Sequence, residues 1–300
     1  MSSSPLSRRR FLAAAGGVGV ALATAGCSAV DLTSEQGGGN LLERLRAVGE
    51  VRVGFGNEAP YGYIDSRGEL TGEAPEVAKA VFRRLGVDRF VPALSDFGAL
   101  IPGLRAGLFD VIAAGMFITP ARCEQILFSD PDYNAPEAIL VRDRDAGRIT
   151  SLADFVADRG LKLGLLLGSV EVDVAAGYGV PPERTVVFAT QAGGIDGVLA
   201  GRADGLLLTG ISLRHALSTR PDAPLRLTAP FVPVLDGVEQ YGAGGFGFRP
   251  DQLRLRDAFN AELAALKRSG ELLEIVRPFG FTESEMTDLT ADRLCRARPA

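Results

Sequence analysis

Two stretches of this chain, 94 residues apart, spell out the same local structure. Ile101-Pro102-Gly103-Leu104-Arg105-Ala106-Gly107-Leu108-Phe109-Asp110 leads into Val111-Ile112-Ala113, and Ile195-Asp196-Gly197-Val198-Leu199-Ala200-Gly201-Arg202-Ala203-Asp204 leads into Gly205-Leu206-Leu207. Both read as a short helix, a glycine turn, an aspartate and a buried strand. The simplest way to fold such a chain is as two similar α/β lobes; coincidence of common helix–turn–strand chemistry is the alternative.

The rest of the chain alternates in the same way. Glu50–Phe55 alternates polar and apolar residues as a strand does, and further strands are predicted at residues 89–93, 110–114, 163–167, 185–189 and 204–208. Helical spacing covers residues 75–85 and 252–267. The fold class is therefore α/β with mostly parallel sheets, and crossings between lobes are expected at Glu137–Arg142 and in the glycine-rich residues 240–248. Gly242-Ala243-Gly244-Gly245-Phe246-Gly247 has the spacing of a dinucleotide loop, but no βαβ unit with an acidic residue follows it. A glycine-permissive hinge strand is the better reading.

Composition removes several function classes. With 46% hydrophobic and 23% charged residues the chain has the balance of a soluble globular protein, and a net charge of −5 without a basic block gives no footprint for nucleic acid. His215 is the only histidine and sits on a helix-like face, which leaves little room for multi-histidine metal sites or Ser-His-Asp chemistry. The three cysteines form no Cys-x-x-Cys pair, and neither a P-loop nor an acidic calcium loop is present. No metal and no cofactor are expected.

Residues 1–26 carry Arg8, Arg9 and Arg10, no acidic residue, and an apolar stretch of about 16 residues, short of the roughly 20 a membrane-spanning helix needs. This is the layout of a cleaved signal peptide. Ser7-Arg8-Arg9-Arg10-Phe11-Leu12 resembles the twin-arginine export motif, and Thr24-Ala25-Gly26-Cys27 resembles the box at which bacterial lipoproteins are cut and lipidated on cysteine, with Thr24 where Leu is commoner. An ordinary secretory signal with an incidental Cys27 is the alternative. Residues 27–40, with three successive glycines, read as a flexible tether. Cleavage after residue 26 leaves 29 basic against 37 acidic residues, a net charge of −8. Cys123 and Cys295 then remain as a disulfide or as two separate buried thiols.

Polar and aromatic residues collect where candidate strands end. Asn57-Glu58-Ala59-Pro60-Tyr61 follows the first, Phe117-Ile118-Thr119-Pro120-Ala121-Arg122 follows the strand at 110–114, and Gly168-Ser169-Val170-Glu171 follows the strand at 163–167. Open α/β sheets bind ligands beyond the carboxyl ends of their strands, so these segments are candidates for one crevice.

These motifs, together with Gly68 to Ala78, Leu100 to Asp110, Leu199 to Asp204 and Tyr241-Gly242-Ala243, resemble the polar amino-acid class of solute-binding proteins of ABC importers over nearly all of residues 45–280. Within that class, Asn57 to Tyr61, Phe97 to Gly103, Ala113 to Cys123 and Pro278 to Glu283 resemble the ectoine/hydroxyectoine-binding proteins. The resemblance implies a type II two-lobed fold joined by two hinge strands, with lobe 1 built from residues 41–142 plus 244–298 and lobe 2 from 143–243.

It also implies roles. Arg122, with Thr119 before it, matches the arginine that grips a ligand carboxylate, and Ser169 adds a hydroxyl from the other lobe. Amino-acid binders of this class place an acidic residue five positions after the Asp of Ala-Gly-Arg-x-Asp, where it receives the α-ammonium; here that position is Thr209. Glu58 and Glu171 instead meet the positive end, and Tyr61, Phe97 and Phe117 match aromatic walls that hold a delocalised cation by its π-attraction. The implied protein is a monomeric receptor that does no chemistry, sits at the outer face of the cell membrane or in the periplasm, and hands a small zwitterion to a membrane permease. A receptor for a polar amino acid or betaine is one alternative. A cyclohexadienyl-type dehydratase with Glu171 or Glu58 as general acid is another.

Overall fold

The computed structural model describes residues 40–235, 237–240 and 242–296; the export segment, Cys27, residues 27–39 of the tether and Tyr241 lie outside the described residues. The chain opens with α1 (Leu41–Val48), β1 (Glu50–Phe55), α2 (Glu73–Arg84), β2 (Arg89–Leu94), α3 (Leu100–Arg105), β3 (Val111–Phe117), α4 (Pro120–Cys123), β4 (Leu127–Phe128) and β5 (Tyr133–Asn134). It continues through β6 (Glu137–Arg142), α5 (Leu152–Ala157), β7 (Leu163–Leu166), α6 (Glu171–Gly177), β8 (Thr185–Phe188), α7 (Gln191–Leu199), β9 (Gly205–Thr209), α8 (Gly210–Ser218) and β10 (Leu225–Leu227). It returns in β11 (Ala243–Phe248), α9 (Leu253–Ser269), α10 (Glu271–Val276) and α11 (Ala291–Cys295).

Two sheets result. The first runs β2-β1-β3-β11-β4, with β5 also on β11, and the second runs β8-β7-β9-β6-β10. Each has three parallel strands followed by an antiparallel one, β11 against β3 in the first and β6 against β9 in the second. The parallel cores were legible as strand–helix alternation; the antiparallel additions were not, and they make both sheets mixed. Glu137–Arg142, expected as a crossing on the lobe 1 side of a boundary at residue 142, lies wholly in the second sheet, paired with β9 and β10. The crossing therefore precedes Glu137. Its six residues are all buried, so their apolar run carried no mark of which sheet they join.

Helices cover the sheets through stripes set by their period. In α2, Val77, Ala78, Val81 and Phe82 face inward, with Glu73 and Glu76 in the first turn and Arg83 and Arg84 in the last, as the helix dipole favours. In α9, Leu255, Phe259, Leu263 and Leu266 bury against the first sheet's core, and the helix stops at Gly270 in the left-handed region. Cys123 and Cys295 form a disulfide that ties α11 to α4. Among the described residues no helix is long and apolar enough to cross a membrane.

The repeated segments fold alike. Asp110 donates its N–H to Arg52 O at 2.9 Å, and its carboxylate accepts from Arg52 N at 3.1 Å and pairs with the Arg52 guanidinium at 2.8 Å. Asp204 donates its N–H to Lys162 O at 2.8 Å, accepts from Lys162 N at 2.9 Å, and pairs with the Arg142 guanidinium at 2.7 Å. Gly107 and Gly201, at the turns before them, both have φ 72°, which glycine adopts without steric cost. Each aspartate thus stitches the start of one strand to its parallel neighbour.

Candidate functional site

The carboxyl ends of the parallel strands in both sheets meet across one cleft. A narrow cavity of about 30 Å³ there is lined by Glu58, Tyr61, Phe97, Phe117, Arg122, Ser169, Glu171 and Thr209. Thr119 is set apart: it caps α4 by accepting from Arg122 N at 3.3 Å, and it faces a neighbouring cavity beyond Phe117. His215 lies outside the cavity on α8, its ring 6.0 Å from Tyr63. The Gly-x-Gly-x-x-Gly run forms β11, where a side chain at Gly244 would lie 2.3 Å from the Tyr133 ring. The glycines there make room for aromatic rings, a reason beyond hinge freedom.

Lobe 1 supplies the rings. Tyr61 stacks on Tyr133 with centroids 5.2 Å apart, and Phe281 packs edge-on to Tyr133 at 5.3 Å. Gly115, at φ 61°, lies under the Tyr61 ring, where a Cβ would be 2.5 Å away. Arg122 reaches out from α4 over the Phe97 face, 5.6 Å from its centroid, and donates to Phe117 O at 2.7 Å and, across the cleft, to Gly168 O at 3.0 Å. Gly98 and Gly168 touch where the lobes meet; a Cβ on Gly168 would fall 2.5 Å from Gly98 Cα.

Lobe 2 supplies hydroxyls and the Glu171 carboxyl, which meet Glu58 from lobe 1. Thr209 Oγ1 caps α8 and accepts from Tyr61 Oη at 2.9 Å, so the position expected to leave an ammonium without its acid is occupied by a bond between the lobes. Ser212 Oγ donates to Glu58 Oε1 at 2.8 Å. Burial pushes Glu58 up to about 7, with the Ser212 hydroxyl opposing the rise and the Glu171 charge adding to it. Burial also raises Glu171, countered by the Ser169 hydroxyl, the Glu171 backbone N–H and the Arg122 charge. Behind Glu171, the Glu137 carboxyl is driven well above the ordinary range by burial and then by its neighbour's charge, so the two titrate as a pair.

Glu137, Tyr133, Gln191 and Ser212 did not stand out in the sequence. Gln191 and Ser212 follow the strands at 185–188 and 205–209, whose carboxyl ends the same strand-end rule would have drawn into the crevice. Tyr133 and Glu137 carry no such mark. Among the described residues no group of three or more His, Cys, Asp or Glu is arranged to hold a metal.

The comparisons agree with this geometry. The family model for bacterial extracellular solute-binding proteins, family 3, matches residues 51–282. A probable amino-acid ABC transporter periplasmic-binding protein of Sinorhizobium fredii is 33% identical over 270 residues, covering 88% of this chain and 89% of that protein. The crystal structure of EhuB in complex with hydroxyectoine superposes with a TM-score of 0.79 at 34% identity, over 86% of this chain and 99% of that one. An ancestral amino acid-binding protein, a precursor of cyclohexadienyl dehydratase, superposes with a TM-score of 0.69 at 26% identity, over 80% of this chain and 99% of that one. With two mixed lobes meeting over one small cavity, this chain belongs to the bacterial extracellular solute-binding proteins, family 3.

Proposed function

We propose that the protein is the receptor of an ABC importer and captures ectoine or hydroxyectoine by closing its lobes, then presents the closed form to the permease. The observation that carries this reading is the composition of the cavity: one guanidinium, three aromatic rings and two buried carboxylates, with Thr209 engaged by Tyr61 where an amino-acid binder needs an acid. The guanidinium suits a carboxylate, and the rings with Glu58 and Glu171 suit a weakly hydrated, delocalised cation. Similarity to EhuB supports the same choice. In this reading the chain needs no cofactor, catalyses nothing, and is held to the outer face of the membrane by lipid on Cys27, with residues 1–26 removed and 27–40 as the tether. Its lobes are the two sheets with their helices.

A receptor for a cationic amino acid is the second reading, favoured by the excess of carboxylates over arginine in the cavity. Isothermal titration of the purified chain against ectoine, hydroxyectoine, glycine betaine, glutamine and arginine separates the two. Heat with either ectoine, and none with the amino acids, is the expected result; the reverse pattern overturns the ligand and keeps the receptor.

A further inference from the structure

A polar chain at the start of α7 and α8 reaches from lobe 2 into lobe 1. Gln191 Nε2 donates to Ser212 Oγ at 2.6 Å and to Ala59 O at 2.9 Å. Ser212 Oγ in turn donates a hydrogen bond to Glu58 Oε1 at 2.8 Å, and Ser212 N donates to Thr209 Oγ1 at 3.4 Å, the atom that also accepts from Tyr61 Oη. Donor counting sets the direction: Ala59 O only accepts, so the Gln191 amide nitrogen must face it, and the Ser212 oxygen then receives the second N–H while its single proton remains for Glu58. Ser212 is fully buried and Glu58 is 8% exposed, so water does not replace these bonds while the lobes are together. The partners are 132 to 154 residues apart in sequence, and all the lobe 1 partners fall on the one loop from Glu58 to Tyr61, itself closed by Glu58 N to Gly62 O at 2.8 Å.

We infer that Gln191 and Ser212 are positioning residues that fix the Glu58 carboxylate and latch the lobes through protein groups alone, in addition to whatever hold the ligand provides. The latch rests on the receptor reading only in treating Glu58 as part of the ligand site. Loss of a buried hydrogen bond to a charged group corresponds to a change of about 10- to 100-fold, and because the latch forms after encounter, that change falls on dissociation.

The test uses the full chain with Ser212→Ala and Gln191→Ala. Small-angle scattering without added solute is expected to show a larger radius of gyration for both variants than for the parent. Stopped-flow measurements with hydroxyectoine as the probe are expected to show dissociation about 10- to 100-fold faster, with association changed less than about threefold. Adding Ser212→Ala to Glu58→Ala should speed dissociation little further, since both remove the same bond. Parental scattering, or parental dissociation where hydroxyectoine binds, overturns the latch. If hydroxyectoine fails to bind the parent, that failure counts against the proposed ligand, and scattering alone decides the latch. Should Ser212→Ala fold poorly by circular dichroism, Gln191→Ala, at a half-buried position, decides it.

Discussion

In lobe 1 the strand ends deliver rings, a guanidinium and a carboxylate: Glu58 and Tyr61 after β1, Phe97 after β2, Phe117 and Arg122 at and after β3. In lobe 2 the corresponding ends deliver hydroxyls, a carboxylate and an amide: Ser169 and Glu171 after β7, Gln191 after β8, Thr209 and Ser212 at and after β9. The frames beneath match down to the aspartate that stitches each turn, yet the chemistry is divided between them. Lobe 1 holds Arg122 for an anionic group and its rings with Glu58 for a cationic one, and lobe 2 adds Ser169 and Glu171 from the opposite side. The cavity is therefore lined from both sides, with most of its charge and all of its rings on lobe 1.

The frames themselves are open to attack. Asp110 is more deeply buried than Asp204, with 7% against 24% of its side chain exposed, although both join a guanidinium and a backbone N–H. Asp110→Ala should cost about 3 kcal/mol of unfolding free energy in denaturant titrations, since it removes charge-assisted bonds from a buried carboxylate while Arg52, 42% exposed, returns to water. Asp204→Ala should cost less, about 1–3 kcal/mol. Equal losses would mean that the two turns are energetically interchangeable and that burial does not separate them.

Binding sharpens the chemical contrast. Arg122→Ala should weaken the solute found by calorimetry by about 2–5 kcal/mol, the cost of truncating one side of a buried charge-assisted contact. Phe117→Ala should cost about 0.5–2 kcal/mol. Binding by Arg122→Ala near the parental affinity would remove the carboxylate grip from lobe 1.

The smallest effect per step is electrostatic. Burial, with the Glu171 charge beside it, holds Glu58 at about 7 against the 4.5 of a free carboxyl, and opening that returns Glu58 to water would bring it back toward that value. Between those values the closed form holds the extra proton. Acid therefore favours closure, and the contribution is lost as pH rises through about 7, with a slope of at most about 1.4 kcal/mol per pH unit. Scattering of the chain without solute should show a smaller radius at pH 5 than at pH 7.5, and Glu58→Gln should flatten the trend. Expansion on acidification would contradict the sign.

Much of this was legible in the order of residues. The alternation of Glu50–Phe55, the four-four-three spacing in α9 and the repeated glycine-to-aspartate turn are local patterns, and local patterns are set by neighbours a few residues away. Strand-end residues followed from them, because a strand's end is visible once the strand is. What the order of residues could not decide was which strand edges come together. Glu137–Arg142 is buried throughout, with four apolar residues between its charged ends, and fits either sheet; its place was settled by the free edge of β9, five residues in register from Gly205 to Thr209. The same holds for Tyr133, which becomes the floor of the aromatic wall only because β11 carries glycine where the ring must lie. It holds most of all for Gln191, Ser212 and Glu58. Each is an ordinary polar residue near a turn, and they become one hydrogen-bonded chain only when lobe closure brings them into a space too dry for any partner but each other.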